Sequence, residues 1–390
     1  MIKKVGLKKM KIKAIDLFSG CGGVSCGLTN AGFKVTGAVE IDKNVVNMYK
    51  RYSKLRDVNV ILDDITNVNG FELLSKSNIN KDEIYLLAGC PPCQNFSSQN
   101  KQNRLKTREE KEILLLQYLR IIKEIYPPFI LMENVPGIQS PSNKEILNTF
   151  LYSLENQDEL QNNKKYFVEF AILNAADFGV PQKRRRFVMH AIRMDIYESL
   201  QQHNFKSSLP KKTHNEHGTN GLNKWISVWE TISDLPEIRS GERYNTDKVK
   251  NHTCANLSEL NQKRMRIIRQ FGGNRNMLPE ELQLRCHKNY VGHSDVYGIM
   301  NPDMPAPTIT GGCLSYSKGR FGHPYQNRAI SIREAARLQT FPDDFEFDDS
   351  ITKSALAIGN AVPIKLVEAS ANNILNVIYK FLLCSKTFSN

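Results

Sequence analysis

The residues best suited to covalent chemistry are the two cysteines in the stretch 89–97, Gly-Cys-Pro-Pro-Cys-Gln-Asn-Phe-Ser. An apolar run at 84–88 comes directly before it and predicts a buried strand that ends at Gly89. Each proline fixes its own backbone and restricts the residue before it, so Cys93 is predicted to lie on a stiff loop just past that strand. A thiolate at the carboxyl end of a strand in an α/β sheet can act as a nucleophile, provided that a neighbour lowers its pKa or accepts its proton.

Other interpretations of this stretch stay open at this point. A cysteine after a strand can simply be a small buried apolar residue. Cys90 and Cys93 also have the spacing of a redox pair or of half a zinc site. The chain has no second Cys-x-x-Cys, however, and polar, loop-like sequence follows Cys93 where a redox pair is expected to open a helix. The rest of the chain must decide between these interpretations.

Charged residues follow or separate three further apolar runs. The run 129–132 predicts a buried strand, and it leads into Glu133-Asn134-Val135, where a carboxylate is expected to have a partner. The predicted strands 166–173 and 187–192 flank the sequence Gln182-Lys183-Arg184-Arg185-Arg186. A charge run is usually a solvated surface, but guanidinium groups between two apolar strands more often meet a phosphate or a carboxylate.

The first forty residues have the pattern of a nucleotide-binding half-sheet. A predicted strand at 12–18 enters the glycine-rich stretch 19–27, a helix follows from about Gly22 to Asn30, and a second strand at 33–39 ends in Glu40. A carboxylate about twenty residues after the first glycine can accept hydrogen bonds from ribose hydroxyls. The turn lacks the dinucleotide spacing, which makes S-adenosylmethionine the best candidate ligand.

The elements that must hold these residues follow from the remaining patterns. A strand at 58–61 precedes Asp63-Asp64-Ile65, which could hold and cover an adenine, and residues 109–125 predict a helix with a core-facing stripe at Ile113, Leu116, Leu119 and Ile122. Ser331 and Glu334 form a capping box at the start of a helix. Gly359-Asn360 is predicted to be a turn that opens the final helix at 364–383.

Composition bounds the class of protein. The 390 residues carry 53 Lys and Arg against 40 Asp and Glu, a net charge of +13, which suggests a polyanionic partner. No apolar run is long enough for a membrane span, no secretory signal is predicted, and the scattered cysteines favour a reducing cytoplasm. Between about 195 and 327 periodicity weakens, and the histidines there lack metal-ligand spacing, so we predict an irregular second domain and no metal.

Five blocks resemble, in order and spacing, the motif set of the DNA (cytosine-5-)-methyltransferases. They are Asp16-Leu-Phe-Ser-Gly-Cys-Gly-Gly, Pro92-Cys93-Gln94, Glu133-Asn134-Val135, Gln182-x-Arg184-x-Arg186 and Gly359-Asn360-Ala361-Val362. The resemblance covers residues 12–192 and 328–383. Two departures occur: the loop after Cys93 lacks the Asp-x-Arg-Gly of many members, and the last block continues Val-Pro-Ile where Val-Pro-Pro is common.

The resemblance implies an α/β fold, a doubly wound Rossmann-like methyltransferase domain that uses S-adenosylmethionine, with a smaller irregular target-recognition domain. The expected division is 1–194 for catalysis and cofactor, 195–327 for target recognition, and 328–390 for motifs that return to the catalytic domain. Cofactor contacts are expected from Phe18, Gly20, Gly22, Glu40, Asp64, Ile65, Pro91, Leu114 and Asn360.

The resemblance also implies a mechanism on a cytosine flipped out of duplex DNA. Cys93 would attack C6, Glu133 would hold N3 and N4, Arg184 would contact the base carbonyl or the covalent intermediate, and Arg186 would position Glu133. Gln182 is expected to contact DNA. The glycine-rich loop 311–320 ends in cations and could read base edges through Lys318 and Arg320, or it could be a hinge.

The predicted activity is therefore sequence-specific DNA cytosine-5 methylation in a restriction-modification or related defence system. We expect a cytoplasmic monomer whose candidate partner, besides double-stranded DNA, is a cognate restriction endonuclease. Three alternatives remain: a tRNA cytosine-5 methyltransferase, a nicotinamide-dependent oxidoreductase with a Cys90/Cys93 redox pair, and an inactive DNA-binding regulator. The last two are disfavoured. An oxidoreductase would leave Glu133 and the arginine run unexplained, and an inactive regulator would not need Cys93 and Glu133.

Overall fold

The computed structural model describes residues 11–92, 108–156, 164–203, 205–273, 275, 278–284 and 295–387. The chain divides into two compact units. Unit 1 comprises Met1–Asn174, Arg185–Lys211 and Leu366–Asn390, and unit 2 comprises Ala175–Arg184 and Lys212–Lys365. These boundaries differ from the predicted functional division at 194/195 and 327/328, which stays a prediction about which segments read DNA.

Within the described residues, the strands of unit 1 form one seven-stranded sheet. Its order is β3-β2-β1-β4-β5-β7-β6, parallel from β3 to β5, with β7 antiparallel to both of its neighbours. The strands are β1 (Lys13–Leu17), β2 (Lys34–Glu40), β3 (Asn59–Leu62), β4 (Tyr85–Gly89), β5 (Phe129–Asn134), β6 (Tyr166–Asn174) and β7 (Arg185–Arg193). The predicted α/β, Rossmann-like architecture is confirmed.

Helices pack on this sheet through apolar faces. In the helix at Arg108–Ile125, Leu119 and Ile122 of the predicted stripe are buried, whereas Leu116 is 40% exposed and Leu115 and Tyr118 are buried instead. The side chain of Ile113 lies outside the described residues. The helices of unit 1 are α1 (Gly23–Ala31), α2 (Lys43–Arg51), α3 (Gly70–Lys76), α4 (Arg108–Ile125), α5 (Lys144–Glu155) and α6 (Met194–Gln201).

Unit 2 is mostly irregular, as predicted for the middle of the chain. Its helices are α7 (Val228–Ile232), α8 (Glu259–Gln270), α9 (Ile332–Leu338) and α10 (Ile351–Asn360). Its short strands are β8 (His214–Asn215), β9 (Asn223–Lys224), β10 (Arg243–Tyr244) and β11 (His252–Thr253), in two two-stranded ladders. The last helix, α11 (Ile364–Thr387), begins in unit 2 and continues into unit 1.

Two helix ends decide how the C-terminal blocks are interpreted. The capping box is confirmed, because Glu334 N donates to Ser331 Oγ at 3.1 Å and Ser331 N donates to Glu334 Oε2 at 2.7 Å. The predicted Gly359-Asn360 turn is wrong, since both residues form the last turn of α10.

Across the described ranges, none of the helices is both long and apolar enough to cross a membrane.

Candidate active site

The glycine-rich loop follows β1 and has the backbone that its residues demand. Phe18, Gly20 and Gly22 all have positive φ angles, of 60°, 54° and 98°. A Cβ at Gly22 would lie 2.7 Å from Leu55 Cδ1 and 2.9 Å from Tyr49 Cδ2, so only glycine fits there. A Cβ at Gly20 would meet nothing within 4 Å. The loop therefore packs on one side and opens at Gly20 on the other.

Glu40 links the end of β2 to this loop. Its Oε2 accepts a hydrogen bond from Gly20 N at 2.8 Å, and its Oε1 accepts from Ile41 N at 2.9 Å and Asp42 N at 3.0 Å. A carboxylate offers roughly four acceptor positions. Glu40 can therefore hold the loop and still accept from a ligand, which is compatible with its predicted contact to ribose.

A buried polar network that the sequence did not reveal lies beneath the loop. Ser25 Oγ donates to Asp16 Oδ2 at 2.6 Å, and Tyr49 OH donates to Ser25 Oγ at 2.8 Å. Burial raises the pKa of Asp16 to about 7, and the Ser25 hydrogen bond opposes that rise. The chain Tyr49–Ser25–Asp16 fixes α2, α1 and β1 to one another directly below the loop.

Phe18, Asp64 and Ile65, three other predicted cofactor residues of unit 1, lie just past strand ends, and Leu114 lies on α4. Asp64 begins a short 3-10 turn, with its Oδ1 accepting from Thr66 N at 2.8 Å, and Ile65 in that turn is buried. Asp63 N donates to Glu40 O at 3.2 Å, so the end of β3 lies beside the end of β2. Phe18 and Leu114 are partly buried and pack against the same core.

The loop that carries the predicted nucleophile is anchored where it leaves β4. Cys90 N donates to Leu17 O at 3.3 Å, and Asn134 Nδ2 donates to Pro91 O at 3.3 Å. Cys93 itself lies outside the described residues. The entry to its loop is therefore tied to β1 on one side and to the residue after Glu133 on the other.

Glu133 and Arg186 form a buried ion pair between β5 and β7. Glu133 pairs with Val188 and Asn134 with Phe187 in the antiparallel ladder. Arg186 Nε lies 2.7 Å from Glu133 Oε1, and both side chains are 11% exposed. The predicted placement of Arg186 beside Glu133 is therefore observed.

Arg184 lies in unit 2, where it bonds to the backbone. It is 3% exposed, and its Nη groups donate to the carbonyls of Ile309, Gly359 (3.0 Å) and Ala361 (3.2 Å). Arg186, and not Arg184, is thus the arginine found beside Glu133. The base contact expected of Arg184 stays a prediction, and these bonds indicate a different role.

Gln182 does not have the exposure that a DNA contact requires. It is completely buried, and its Nε2 donates to Gln339 Oε1 at 2.9 Å and Leu338 O at 3.2 Å while its Oε1 accepts from Ile309 N at 2.8 Å. Both ends of the amide are used inside unit 2. The DNA contact of Gln182 stays a prediction, and it would require this side chain to leave all of these partners.

The loop 311–320, which is predicted to contact base edges and is here called the reading loop, has buried residues at its base and exposed residues at its tip. Cys313, Leu314 and Tyr316 are buried, which argues against a free hinge. Lys318 is exposed, and Arg320 is partly exposed with its Nη2 2.9 Å from Asp295 Oδ1. Asn360 is exposed at the end of α10. These three side chains are accessible to a ligand.

A sheet of this order, with a glycine-rich loop after β1 and an acid at the end of β2, defines an α/β methyltransferase-type fold. Comparison with known proteins identifies the family. Residues 12–376 match the model of the C-5 cytosine-specific DNA methylases. The chain belongs to this family, which makes it a methyltransferase.

Relatives agree with this family assignment, and a solved structure shares the fold. The chain is 35% identical over 366 residues to the Type II methylase M.HgiDII of Herpetosiphon aurantiacus, covering 92% of this chain and 94% of that one. It is 31% identical to the Type II methyltransferase M1.HphI of Haemophilus parahaemolyticus, covering 94% and 88%. A prophage-encoded DNA modification methyltransferase structure from E. coli shares the fold with a TM-score of 0.68 and 22% identity, covering 95% of this chain and 100% of that one.

Proposed function

We propose that this protein transfers a methyl group from S-adenosylmethionine to C5 of a cytosine in a specific duplex DNA sequence, as the modification enzyme of a restriction-modification system. The observation that carries the proposal is the buried Glu133–Arg186 pair, because the residue after Glu133 also anchors the loop that leads to Cys93. The carboxylate of Glu133 and its partner Arg186 on β7 thus lie beside the described start of the loop that leads to Cys93. The positive net charge of +13 suits a DNA partner.

The residues of unit 1 fit a cofactor of this kind. Gly20 opens onto free space, and Glu40 stands at the end of the neighbouring strand with acceptor positions to spare. Asp16 Oδ1 and Ser19 Oγ are buried without a hydrogen-bond partner among the described residues, as expected where a polar ligand completes a site. Phe18, Asp64, Ile65, Pro91 and Leu114 would complete the contacts that unit 1 makes. The bound cofactor supplies an electrophilic methyl group.

The protein's own part in the reaction is to make C5 nucleophilic. A base inside a duplex is inaccessible, so the cytosine must be flipped out. The Cys93 thiolate adds to C6, and the electron pair of the C5–C6 double bond becomes available at C5. Glu133 holds the N3 and N4 edge and stabilises the charge that develops on the ring. Loss of the C5 proton after methylation re-forms the double bond and expels Cys93.

Arg186 takes the role of orienting Glu133. Its Nε holds Oε1 of that carboxylate, which restricts the rotation of the Glu133 side chain. A planar guanidinium carries five N–H donors, so further N–H groups of Arg186 can reach an oxygen of the base. We therefore propose that the contact to the base carbonyl belongs to Arg186.

Covalent trapping tests this proposal. A duplex with 5-fluorocytosine at the target cannot lose a C5 proton, so wild-type protein with S-adenosylmethionine should form a denaturation-resistant adduct on Cys93. Cys93→Ser should abolish both adduct and methyl transfer, while Cys90→Ser, the matched control, should retain them. An adduct on Cys90, or one that persists in Cys93→Ser, contradicts the assignment. Transfer of a tritiated methyl group to tRNA but not to duplex DNA would show that tRNA, and not DNA, is the substrate.

A further inference from the structure

Residues 306–313 of unit 2, here called the threonine segment, are held by the same stretch that carries Arg184. Lys183 N donates to Ala306 O at 2.9 Å, and Thr308 Oγ1 donates to Lys183 O at 2.9 Å. Gln182 and Arg184 bond the N–H and the carbonyl of Ile309 respectively. Both backbone groups of Ile309 are thereby fixed by buried side chains. The last residues of the segment, 311–313, are also the first residues of the predicted reading loop 311–320.

The end of α10 approaches the threonine segment backbone to backbone. A Cβ at Gly359 would lie less than 3.0 Å from the carbonyl carbon of Thr310 and the nitrogen of Gly311. Gly359 has no positive φ, so this close approach, and not backbone torsion, is what requires glycine. The next residue is Asn360, a predicted cofactor contact.

Arg184 joins these two stretches. One end of its guanidinium donates to Ile309 on the threonine segment, and the other donates to Gly359 and Ala361 around the end of α10. A second connection runs through Gln182 and Gln339. Gln182 accepts from Ile309 N and donates to Gln339 Oε1, and Gln339 Nε2 donates to Ile358 O of α10 at 2.7 Å. Burying a guanidinium is costly unless its donors are satisfied. The planar guanidinium of arginine, with donors in fixed directions, is the group best suited to hold carbonyls of two segments at a fixed separation.

We propose that Arg184 is a positioning residue that fixes the reading loop relative to the Asn360 end of α10, and not a group that contacts the base. The inference rests on the proposed function, because it assigns the loop to target DNA. Loss of the guanidinium frees the Thr310–Gly311 peptide to shift. The loop then meets cognate and non-cognate sites in several positions, which lowers discrimination between them more than it lowers the chemical step.

The experiment compares Arg184→Met with Arg185→Met, which removes the same charge from an exposed neighbour. We would measure kcat, KM for duplex DNA, and the methylation of sites that differ from the cognate site at one base pair. Arg184→Met should raise KM and reduce discrimination at least tenfold, with the 5-fluorocytosine adduct still forming on Cys93. Arg185→Met should match wild type in discrimination. A fall in kcat or adduct formation with unchanged discrimination would overturn the inference.

Two further measurements keep the test decisive if Arg184→Met does not fold. Gly359→Ala places a methyl group against the Thr310–Gly311 peptide and should give the same loss of discrimination. In wild type, amide hydrogen exchange at Ile309 should be much slower than at the exposed Ser317 and Lys318. Equal exchange rates at Ile309, Ser317 and Lys318 would show that the threonine segment is not held in a fixed position. If the wild-type protein methylates no cytosine in DNA, the proposed function is wrong. The exchange rates would still test whether Arg184 holds the threonine segment in place.

Discussion

Replacing Arg186 with glutamine should destabilise unit 1 because it leaves the buried Glu133 carboxylate without its guanidinium. The ion pair joins β5 to β7, and the residue after Glu133 contacts Pro91, where the loop that leads to Cys93 begins. The change keeps a polar side chain of moderate length, so the main loss is the charge. We expect both the stability of unit 1 and the rate of methyl transfer to fall.

The size of the effect follows from the geometry. At the observed 2.7 Å and an effective dielectric constant of about 20, two unit charges attract by about 6 kcal/mol. Desolvation of both groups, each 11% exposed, offsets part of this attraction. Removing one partner of such a buried pair costs about 3–5 kcal/mol, which is the expected loss in the free energy of unfolding of unit 1.

The assay must report on unit 1 alone. Both tryptophans, Trp225 and Trp229, belong to unit 2, so tryptophan fluorescence follows unit 2. Amide hydrogen exchange of the peptides 129–134 and 185–193 reports instead on β5 and β7. Fluorescence then serves as an internal control that unit 2 is intact in each variant.

A double-mutant cycle with Glu133→Gln tests the reasoning. In the double variant neither charge remains, so Arg186→Gln should cost far less than it does alone. The coupling energy should be about 2 kcal/mol or more. Strictly additive losses would refute the idea that the pair, and not each side chain separately, stabilises this end of the sheet.

Further predictions concern the cofactor, acid stability and target choice. Glu40→Ala should weaken S-adenosylmethionine binding roughly ten- to a hundredfold by calorimetry, because charge-assisted bonds contribute about 1.5–3 kcal/mol each. Glu72→Ala, which removes an exposed side chain of α3, should leave the affinity unchanged, and unchanged affinity in Glu40→Ala would place the pocket elsewhere. Burial lowers the pKa of His323 to about 4, so the unfolded chain takes up a proton near pH 6.5 that folded unit 2 takes up only near pH 4. Unit 2 should therefore lose up to about 3 kcal/mol as pH falls from 6.5 to 4, seen as lower urea midpoints by tryptophan fluorescence; a flat pH profile would contradict this. Arg320→Ala should relax preference at one or two base pairs by about 1–3 kcal/mol each in bisulfite sequencing, whereas a uniform loss of activity would exclude readout.

Local patterns predicted the strands of unit 1 well because each strand that carries a site residue is an apolar run with a polar end. The acids Glu40 and Glu133 could be placed at strand ends for that reason. Asp16 was harder to interpret, since a buried acid inside β1 gives no local sign of its partners Ser25 and Tyr49 on two later helices.

Burial by distant segments could not be predicted from the local sequence. Gln182 stands in a run of basic residues, and nothing nearby indicates that Gln339 will cover it. The same holds for Arg184, whose partners lie more than a hundred residues later. The Glu133–Arg186 contact depends on the antiparallel register of β5 and β7, which only the family resemblance could suggest.

The division of unit 1 into three stretches has a consequence for how the protein is made. A nascent chain that has left the ribosome as far as residue 211 already contains every strand of the seven-stranded sheet. The helix portion that places Leu375 beside Gly32, and Asn373 Nδ2 2.7 Å from Ser208 O, is translated only after residues 212–365 of unit 2. During that interval the apolar surface around α1 has no cover from α11. Chains stalled there should be bound by chaperones and cut by proteases more readily than chains that already carry α11.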